Sequence, residues 1–285
     1  MGIIINGMAM ANQIREELKT EISKLKEKGV TPALYIILVG NNPASEIYVR
    51  VKEKYCKEIG IDFELERLSE KVTEKELIEK VKKLNSNKTV NGIIVQLPLP
   101  GHINKNKAIE TIDPEKDVDA LTPLNLGKLV SGRETLSAAT SKGIVRLLEK
   151  TGIKLAGKHV VIINRSLNVG RPLAFLLLNR DATVTVCHSK TAGLEKFTKI
   201  ADIVVCAVGK PGFLKREMVK KGSVIVDVGL TYVNGKGFGD VDFENVKKKA
   251  SYITPVPGGI GPITVAMILE NTVIATKTQM NLSSN

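Results

Sequence analysis

The feature that most constrains this chain is a series of short branched-aliphatic runs separated by helical segments. The runs lie at residues 32–40, 63–68, 91–97, 160–163, 182–186, 203–207 and 224–228. Such runs are typical of parallel strands, which are buried on both faces, and their alternation with helices predicts βαβ units. Aromatic residues make up only 4% of the chain and tryptophan is absent, so aliphatic side chains must form the cores. We therefore expect an α/β fold with parallel sheets.

The series of strands is interrupted once, and the interruption predicts two domains. Residues 98–132 are rich in Pro, Gly, Asp and Asn and show no regular periodicity, which favours a long loop region with short helices. A chain of 285 residues is long enough for two cores. We expect one domain to comprise 1–139 and 265–285, including the last helix, and the other to comprise 140–264.

Charge and cysteine content limit the classes of function. The net charge of +12 suggests a nucleic-acid-binding protein as one hypothesis. The lysines, however, are interspersed with glutamates and have no interleaved aromatic residues, as single-strand binding would favour. No apolar run approaches the length of a membrane span, and no export signal is evident. The three scattered cysteines have no metal-ligand spacing. We expect a cytoplasmic protein with no metal, membrane or nucleic acid.

A helix predicted at 44–59 carries a lysine at the edge of its apolar stripe. Lys52 lies four residues after Tyr48, on nearly the same face of this helix. Burial would favour the neutral amine and lower its pKa, which would make Lys52 a usable base. The same spacing also fits a lysine that extends its amine to solvent beside a core tyrosine.

Polar residues follow the third predicted strand. The strand ends in Gln96, and Pro98 then turns the chain. Ligand sites in α/β sheets lie beyond the carboxyl ends of strands, so Gln96 could reach a ligand or a catalytic amine. It could equally bond to loop backbone. Asp117 and Asp119 could likewise cap turns or face a ligand.

The segment 160–172 is a candidate dinucleotide site. A strand leads through a loop into a helix with Pro172 near its start, where backbone N–H groups can bind phosphate. The segment is not a GxGxxG motif, since Asn164 stands where glycine is expected and only Gly170 remains. An ordinary βα crossover with incidental polar residues is the alternative.

The next predicted strand indicates which dinucleotide would bind. It is followed by His188 and Ser189 rather than by the acidic residue that holds the ribose 2′-hydroxyl in most NAD sites. Arg165 adds a bidentate phosphate partner. Both features favour the 2′-phosphate of NADP, with NAD as the other possibility.

The segment 255–262 contains three glycines and three prolines, and this composition favours a loop that faces a ligand.

These motifs occur together in one order. They are Ser45-x-x-Tyr48-Val49-x-x-Lys52-x-Lys54, Val95-Gln96-Leu97-Pro98-Leu99-Pro100, Lys116-Asp117-Val118-Asp119 and Pro255-Val256-Pro257-Gly258-Gly259-Ile260-Gly261-Pro262. With this combination the chain resembles the bifunctional methylenetetrahydrofolate dehydrogenase/methenyltetrahydrofolate cyclohydrolase family from Ile3 to the last helix.

The resemblance implies a homodimer whose subunits have two α/β domains around a cleft. Residues 140–264 would form a Rossmann-like NADP-binding domain with a parallel sheet, and the remainder would form the folate-binding catalytic domain. The implied reaction is oxidation of 5,10-methylenetetrahydrofolate with NADP, followed by hydrolysis of the methenyl product to 10-formyltetrahydrofolate. These steps belong to one-carbon metabolism, which supplies purine biosynthesis.

The resemblance also implies roles for individual residues. Lys52 would serve the hydrolysis, Tyr48 would pack on the pterin ring, and Gln96 would position Lys52 and contact substrate. The other implied substrate-binding residues are Leu97, Pro98, Asp119, Gly258, Gly259 and Pro262. The implied cofactor-binding residues are Asn164, Arg165, Ser166, Gly170, His188, Ser189, Val208, Gly209, Gly229, Ile260 and Thr264.

Three departures from the family's usual motifs leave alternatives open. Ala138-Ala139-Thr140-Ser141 stands in place of Pro-Cys-Thr-Pro, Asn164 replaces a glycine, and Ala120-Leu121-Thr122 replaces Gly-Phe-His. The first two changes affect the cofactor side, so one alternative is a cyclohydrolase with weak or absent dehydrogenase activity. A second is an NADP-dependent dehydrogenase of another small acid, which would leave Tyr48, Lys52 and Gln96 unexplained.

Overall fold

The computed structural model describes residues 1–233 and 235–281. In chain order, the strands are β1 (Ile3–Ile4), β2 (Ala33–Val39), β3 (Asp62–Leu68), β4 (Gly92–Val95), β5 (His159–Ile163), β6 (Thr183–Cys187), β7 (Ile203–Cys206), β8 (Val224–Asp227), β9 (Thr231–Val233), β10 (Lys236–Phe238) and β11 (Tyr252–Ile253). The α-helices are α1 (Gly7–Glu27), α2 (Pro43–Ile59), α3 (Glu74–Ser86), α4 (Lys105–Glu110), α5 (Pro123–Val130), α6 (Ala139–Lys150), α7 (Gly170–Leu178), α8 (Leu194–Thr198), α9 (Phe243–Val246) and α10 (Ile260–Gln279).

The chain divides into two compact units. One consists of Met1–Asn12 and Thr140–Thr264, and the other of Gln13–Ala139 and the residues from Val265 onward. The N-terminal segment differs from our expectation, which placed residues 1–12 with the unit that contains α2. It belongs elsewhere because β1 pairs in parallel with β11, with Ile3 opposite Tyr252 and Ile4 opposite Ile253. A strand of two residues has no periodicity from which this partner could be predicted.

The unit that contains residues 140–264 is built on a six-stranded sheet with the order β1-β11-β8-β7-β5-β6. All neighbouring strands of this sheet are parallel. Strands β7 and β8 are buried along their whole length, as continuous aliphatic runs predict. Because β6, β5 and β7 are adjacent and parallel, the loops that follow them meet at one edge of the sheet. A separate antiparallel hairpin is formed by β9 and β10.

The other unit has a three-stranded parallel sheet in the order β3-β2-β4. The central strand β2 pairs with β3 along its full length and with β4 from Leu34 to Ile37. Buried aliphatic residues of β2, β4 and α3 form one of its core clusters. Helix α3 begins with a capping box, in which the Thr73 hydroxyl accepts from the Glu76 N–H while the Glu76 carboxylate accepts from the Thr73 N–H.

The predicted α/β class with parallel sheets is confirmed. The irregular segment 98–132 contains the short helices α4 and α5, as expected. Four features were not predicted from the sequence: β1, α6, the β9–β10 hairpin and β11. In the described part of the chain, no helix is both long and apolar enough to cross a membrane.

Candidate active site

Helix α2 carries Lys52 on its buried face. The helix begins with Asn42, whose side-chain oxygen accepts from the Ser45 N–H at 3.1 Å, and ends at Gly60 in the left-handed conformation, with φ of 85°. Ser45, Val49, Lys52 and Cys56 recur at spacings of three and four residues and are all buried. Lys52 is only 4% exposed, so its amine does not extend into solvent as the alternative interpretation required.

The Lys52 amine is held by an amide at the carboxyl end of β4. Its Nζ donates to Gln96 Oε1 at 2.8 Å. Gln96 Nε2 in turn donates to the Leu97 carbonyl at 2.9 Å, which also accepts from the Ser45 hydroxyl at 3.1 Å. These bonds orient the amide so that its oxygen faces the amine. A cis peptide bond joins Leu97 to Pro98, which is exposed.

Electrostatics at this site act in two directions. Burial lowers the pKa of Lys52 below its usual value, because an ammonium is poorly solvated there, while the negative charge of Asp119 raises it. Burial likewise raises the pKa of Asp119, and the charge of Lys52 lowers it. The Lys52 amine therefore loses its proton more readily than that of a solvent-exposed lysine. The charge of Asp119 opposes part of this effect, because it raises the pKa of the amine. Tyr48 is half-buried one helical turn before Lys52.

The two aspartates of the 117–119 motif have different environments. Asp117 is buried, and its Oδ2 accepts from the Thr122 N–H at 2.7 Å and from the Asn125 side chain at 3.1 Å. Asp117 thus organises the turn before α5. Asp119 is half-buried and couples electrostatically to Lys52. The sequence pattern did not distinguish the two residues, and only the family resemblance singled out Asp119.

A second candidate site lies in the other unit, at the carboxyl ends of β5, β6 and β7. It is a cavity of about 650 Å³. Its lining residues are Ile163, Asn164, Arg165, Ser166, His188, Ser189, Thr191, Leu194, Ala207, Val208, Lys210 and Phe213. The volume falls within the range of roughly 300–1,000 Å³ that is typical of small-molecule sites. Arg165 and Lys210 bring positive charge to a pocket with apolar walls, which suits an anionic ligand with an aromatic part.

Asn164 shapes the loop between β5 and α7. Its side-chain oxygen accepts from the N–H groups of Ser166 at 2.7 Å and Gly170 at 3.0 Å, and its Nδ2 donates to the Ala207 carbonyl at 2.6 Å. A Cβ at Gly170 would lie 2.1 Å from the Asn164 carbonyl oxygen, so only glycine fits at the start of α7. The asparagine therefore ties the loop after β5 to the end of β7.

The structure brings six of the predicted cofactor residues together in this cavity: Asn164, Arg165, Ser166, His188, Ser189 and Val208. The other predicted cofactor residues do not line it. Gly170 lies against the backbone of Asn164, and Gly229 lies against the Asp240 side chain. Gly209 has a φ of 70°, and Ile260 is buried. Thr264 donates to the Thr140 hydroxyl at 3.4 Å. The sequence analysis missed Ile163, Thr191, Leu194, Ala207, Lys210 and Phe213. Lys210 directly follows the Gly209 turn after β7, a signal that could have identified it.

The predicted Gly/Pro loop packs closely on the N-terminal segment of its own unit. A Cβ at Gly7 would lie 1.9 Å from the Gly259 carbonyl oxygen, and the Met8 N–H donates to the Gly258 carbonyl at 3.1 Å. Gly258 has a φ of 97°, which favours glycine. Part of this glycine content therefore serves chain packing. Pro262 lies in the first turn of α10 and is half-buried.

Comparison with known proteins shows the family of this chain. Two family models match the chain, the tetrahydrofolate dehydrogenase/cyclohydrolase catalytic domain over residues 5–119 and the NAD(P)-binding domain of the same family over residues 138–280. The bifunctional protein FolD of Halothermothrix orenii is 52% identical over 279 residues, which cover 97% of this chain and 99% of that protein.

Solved structures show the same relationship. The bifunctional enzyme FolD, a methylenetetrahydrofolate dehydrogenase/cyclohydrolase from Campylobacter jejuni, matches with a TM-score of 0.96 and 48% identity, covering 98% of this chain and 99% of that chain. The methylenetetrahydrofolate dehydrogenase-cyclohydrolase of Trypanosoma brucei, complexed with NADP cofactor and inhibitor, matches with a TM-score of 0.94 and 39% identity, covering 98% of each chain. The chain therefore belongs to the tetrahydrofolate dehydrogenase/cyclohydrolase family.

Proposed function

We propose that this protein oxidises 5,10-methylenetetrahydrofolate to 5,10-methenyltetrahydrofolate with NADP and hydrolyses that product to 10-formyltetrahydrofolate. The observation that carries the proposal is the buried Lys52 amine held at 2.8 Å by Gln96 in a chain with an end-to-end match to this family. The cavity after β5, β6 and β7 supplies the dinucleotide site that the oxidation needs.

In the hydrolysis, Lys52 acts as the general base. Water attacks the methenyl carbon and its proton passes to the neutral Lys52 amine, while a C–O bond forms. As the hydroxyl of the tetrahedral adduct loses its proton to water and becomes the formyl C=O, the bond from this carbon to N5 breaks. N5 keeps the electron pair and takes the proton held by the Lys52 ammonium, and the formyl group stays on N10. Gln96 keeps the amine oriented for this transfer, since its Oε1 accepts a hydrogen bond from the amine and its Nε2 donates to the Leu97 carbonyl.

Substrate contacts are proposed for a further set of residues. Tyr48, one turn from Lys52, offers an aromatic surface to the pterin ring, and Asp119 offers a carboxylate to its hydrogen-bond donors. On the family resemblance alone, we also propose contacts from Leu97, Pro98, Gly258, Gly259 and Pro262.

The residues of the cavity after β5, β6 and β7 fit NADP. When bound, NADP accepts a hydride from the methylene carbon of the folate. We propose that Arg165 and Ser189 hold the adenosine 2′-phosphate, because an arginine and a hydroxyl are suitable partners for a phosphate. Among the residues that the structure describes, none of those lining this cavity is acidic. Asn164, Ser166, His188 and Val208 complete the proposed contacts. Gly170, Gly209, Gly229, Ile260 and Thr264 remain predicted cofactor residues that lie outside the cavity lining.

A cyclohydrolase with weak dehydrogenase activity is the second candidate. The observation that favours it is the side chain of Asn164, which accepts from the N–H groups of Ser166 and Gly170. Those donors are then not free for a phosphate at the start of α7. Titration of NADP against the rate of reduction separates the two candidates, since weak binding would appear as a high KM for NADP beside normal hydrolysis.

We further propose a cytoplasmic homodimer with a role in purine biosynthesis. All three cysteines are free and buried, which suits a reducing compartment. Strand β6 is at the edge of its sheet and exposes Val186, and Leu178 of the neighbouring helix α7 is also exposed, so a second copy could cover this edge. Light scattering should give the mass of two chains, and a monomer would contradict the proposal.

We also propose that the net charge of +12 attracts the carboxylates of folate rather than nucleic acid.

The function is tested by absorbance after the protein is mixed with methylenetetrahydrofolate and NADP or NAD. Reduced cofactor should appear with NADP, and methenyl product should accumulate only after acid is added, because the enzyme hydrolyses it at neutral pH. If neither dinucleotide is reduced, methenyltetrahydrofolate is supplied directly. Hydrolysis would then support the second candidate, and its absence would refute both.

A further inference from the structure

The loop that follows β7 is held by a single buried carboxylate. Three successive backbone N–H groups donate to Asp240, from Val208 at 2.5 Å, Gly209 at 2.9 Å and Lys210 at 2.7 Å. Val208 and Gly209 share Oδ2, whereas Lys210 bonds to Oδ1. Asp240 is fully buried. A buried carboxylate is tolerated only when hydrogen-bond donors compensate it. Asp240 and the loop after β7 therefore depend on each other for their positions.

The same loop forms one wall of the cavity. Ala207, Val208 and Lys210 line it, whereas Asp240 does not. We propose that Asp240 is a positioning residue, which fixes the 207–210 loop in the shape that binds the dinucleotide. This inference rests on the proposed function, since it assumes that the cavity takes NADP.

A second carboxylate fixes the first. Asp227, at the end of β8, accepts from the N–H of Asp240 itself at 2.9 Å and from that of Val241 at 2.9 Å. It also accepts from the Gly229 N–H at 3.1 Å, and its own N–H donates to the Thr254 hydroxyl at 2.7 Å. Asp227 therefore ties the segment that carries Asp240 to the central part of the sheet. The position of the cavity wall thus depends on a chain of contacts from β8 through two carboxylates.

Two glycines leave room for these carboxylates. A Cβ at Gly229 would lie 2.1 Å from Asp240 Cγ, and a Cβ at Gly239 would lie 2.0 Å from Asp227 Oδ2. Both distances are far shorter than any ordinary contact, so a side chain in place of either glycine would displace a buried carboxylate that several hydrogen bonds hold. Gly229, which the sequence analysis assigned to cofactor binding, is therefore better explained as the residue that admits the Asp240 side chain.

The chemistry requires a carboxylate at position 240. Both of its oxygens already accept from N–H groups, whereas an amide has one acceptor oxygen and an NH2 group that only donates. In Asp240→Asn, the NH2 group must therefore face at least one backbone N–H of the loop. The 207–210 loop should therefore shift. The rest of the fold should be unchanged, because asparagine has nearly the same size as aspartate.

The test compares Asp240→Asn and Gly239→Ala with the control Asp242→Asn. Asp242 lies two residues further along, outside the cavity lining, and its carboxylate accepts from Asn245. For both test variants, the Kd for NADPH by fluorescence and the KM for NADP should rise about tenfold, while kcat at saturating NADP changes much less. Hydrolysis of methenyltetrahydrofolate needs no dinucleotide and should stay near the wild-type rate, and Asp242→Asn should match wild type throughout.

The outcomes separate this inference from the proposed function. If wild type binds NADPH and Asp240→Asn binds it equally well with only a lower Tm, Asp240 is merely structural and the inference is overturned. A parallel fall in both activities, or failure of both test variants to fold, would overturn it as well. If wild type itself binds no NADPH, the proposed cofactor site is refuted, and this inference with it.

Discussion

Replacing Lys52 with methionine should separate the two activities. The side chain is 4% exposed, and methionine fills a similar volume without a charge. Because burial lowers the pKa of Lys52, the folded state disfavours the ammonium form, so removing the amine should not lower the free energy of unfolding at neutral pH. The half-buried Gln96 loses one donor, and its other bond, to the Leu97 carbonyl, remains.

The magnitude follows from the role of the amine. A positioned general base contributes about 10²- to 10⁴-fold to a rate, which corresponds to about 3–5 kcal/mol of activation free energy. We therefore expect hydrolysis of methenyltetrahydrofolate to fall by that factor in Lys52→Met. Oxidation of methylenetetrahydrofolate involves hydride transfer and depends on geometry rather than on a base, so its kcat should change by less than about threefold.

Two absorbance assays measure the effect, one for reduced NADP and one for decay of added methenyltetrahydrofolate. The dehydrogenase assay on the variant should accumulate methenyl product without acid treatment. Lys54→Met is the matched control, because Lys54 is on the same helix but its side chain is 66% exposed. Equal loss of both activities in Lys52→Met, or unchanged hydrolysis, would refute the assigned role.

Three further substitutions test the electrostatics. Asp119→Asn removes the negative charge that raises the pKa of Lys52, so the pH of half-maximal hydrolysis should move to lower values; a shift to higher pH would contradict the coupling. Arg165→Ala should raise the KM for NADP about 10- to 100-fold, the value of a hydrogen bond to a charged group, and leave that for NAD nearly unchanged. Burial raises the pKa of Asp117 from 3.8 to about 6, so the folded state binds more protons than the unfolded state and stability falls as pH rises between those values. Urea unfolding at pH 4 and pH 7 should show that Asp117→Asn lacks this loss, which is on the order of 3 kcal/mol in wild type.

The sequence by itself determined the class of fold and the general location of both sites. Continuous aliphatic runs predict buried parallel strands because the signal is local, and β2, β5 and β7 lie where those runs are. The four-residue spacing of Tyr48 and Lys52 put both on nearly one face of a helix for the same reason, whereas only the structure showed that Lys52 is buried beside Ser45 and Val49. The strand–loop–helix pattern around Asn164 likewise located the cavity, since ligand sites follow the carboxyl ends of parallel strands.

Only the tertiary structure decided which groups meet. Gln96 is 44 residues from Lys52, and Asp240 is 30–32 residues from the loop it holds, so no local pattern pairs them. The family resemblance implied the first pair, and nothing in the sequence implied the second. The structure also decided that Asp117 organises a turn while Asp119 couples to Lys52, although both are aspartates in one short motif. Burial and long-range hydrogen bonds depend on how distant segments pack, and that packing gives identical side chains different chemistry.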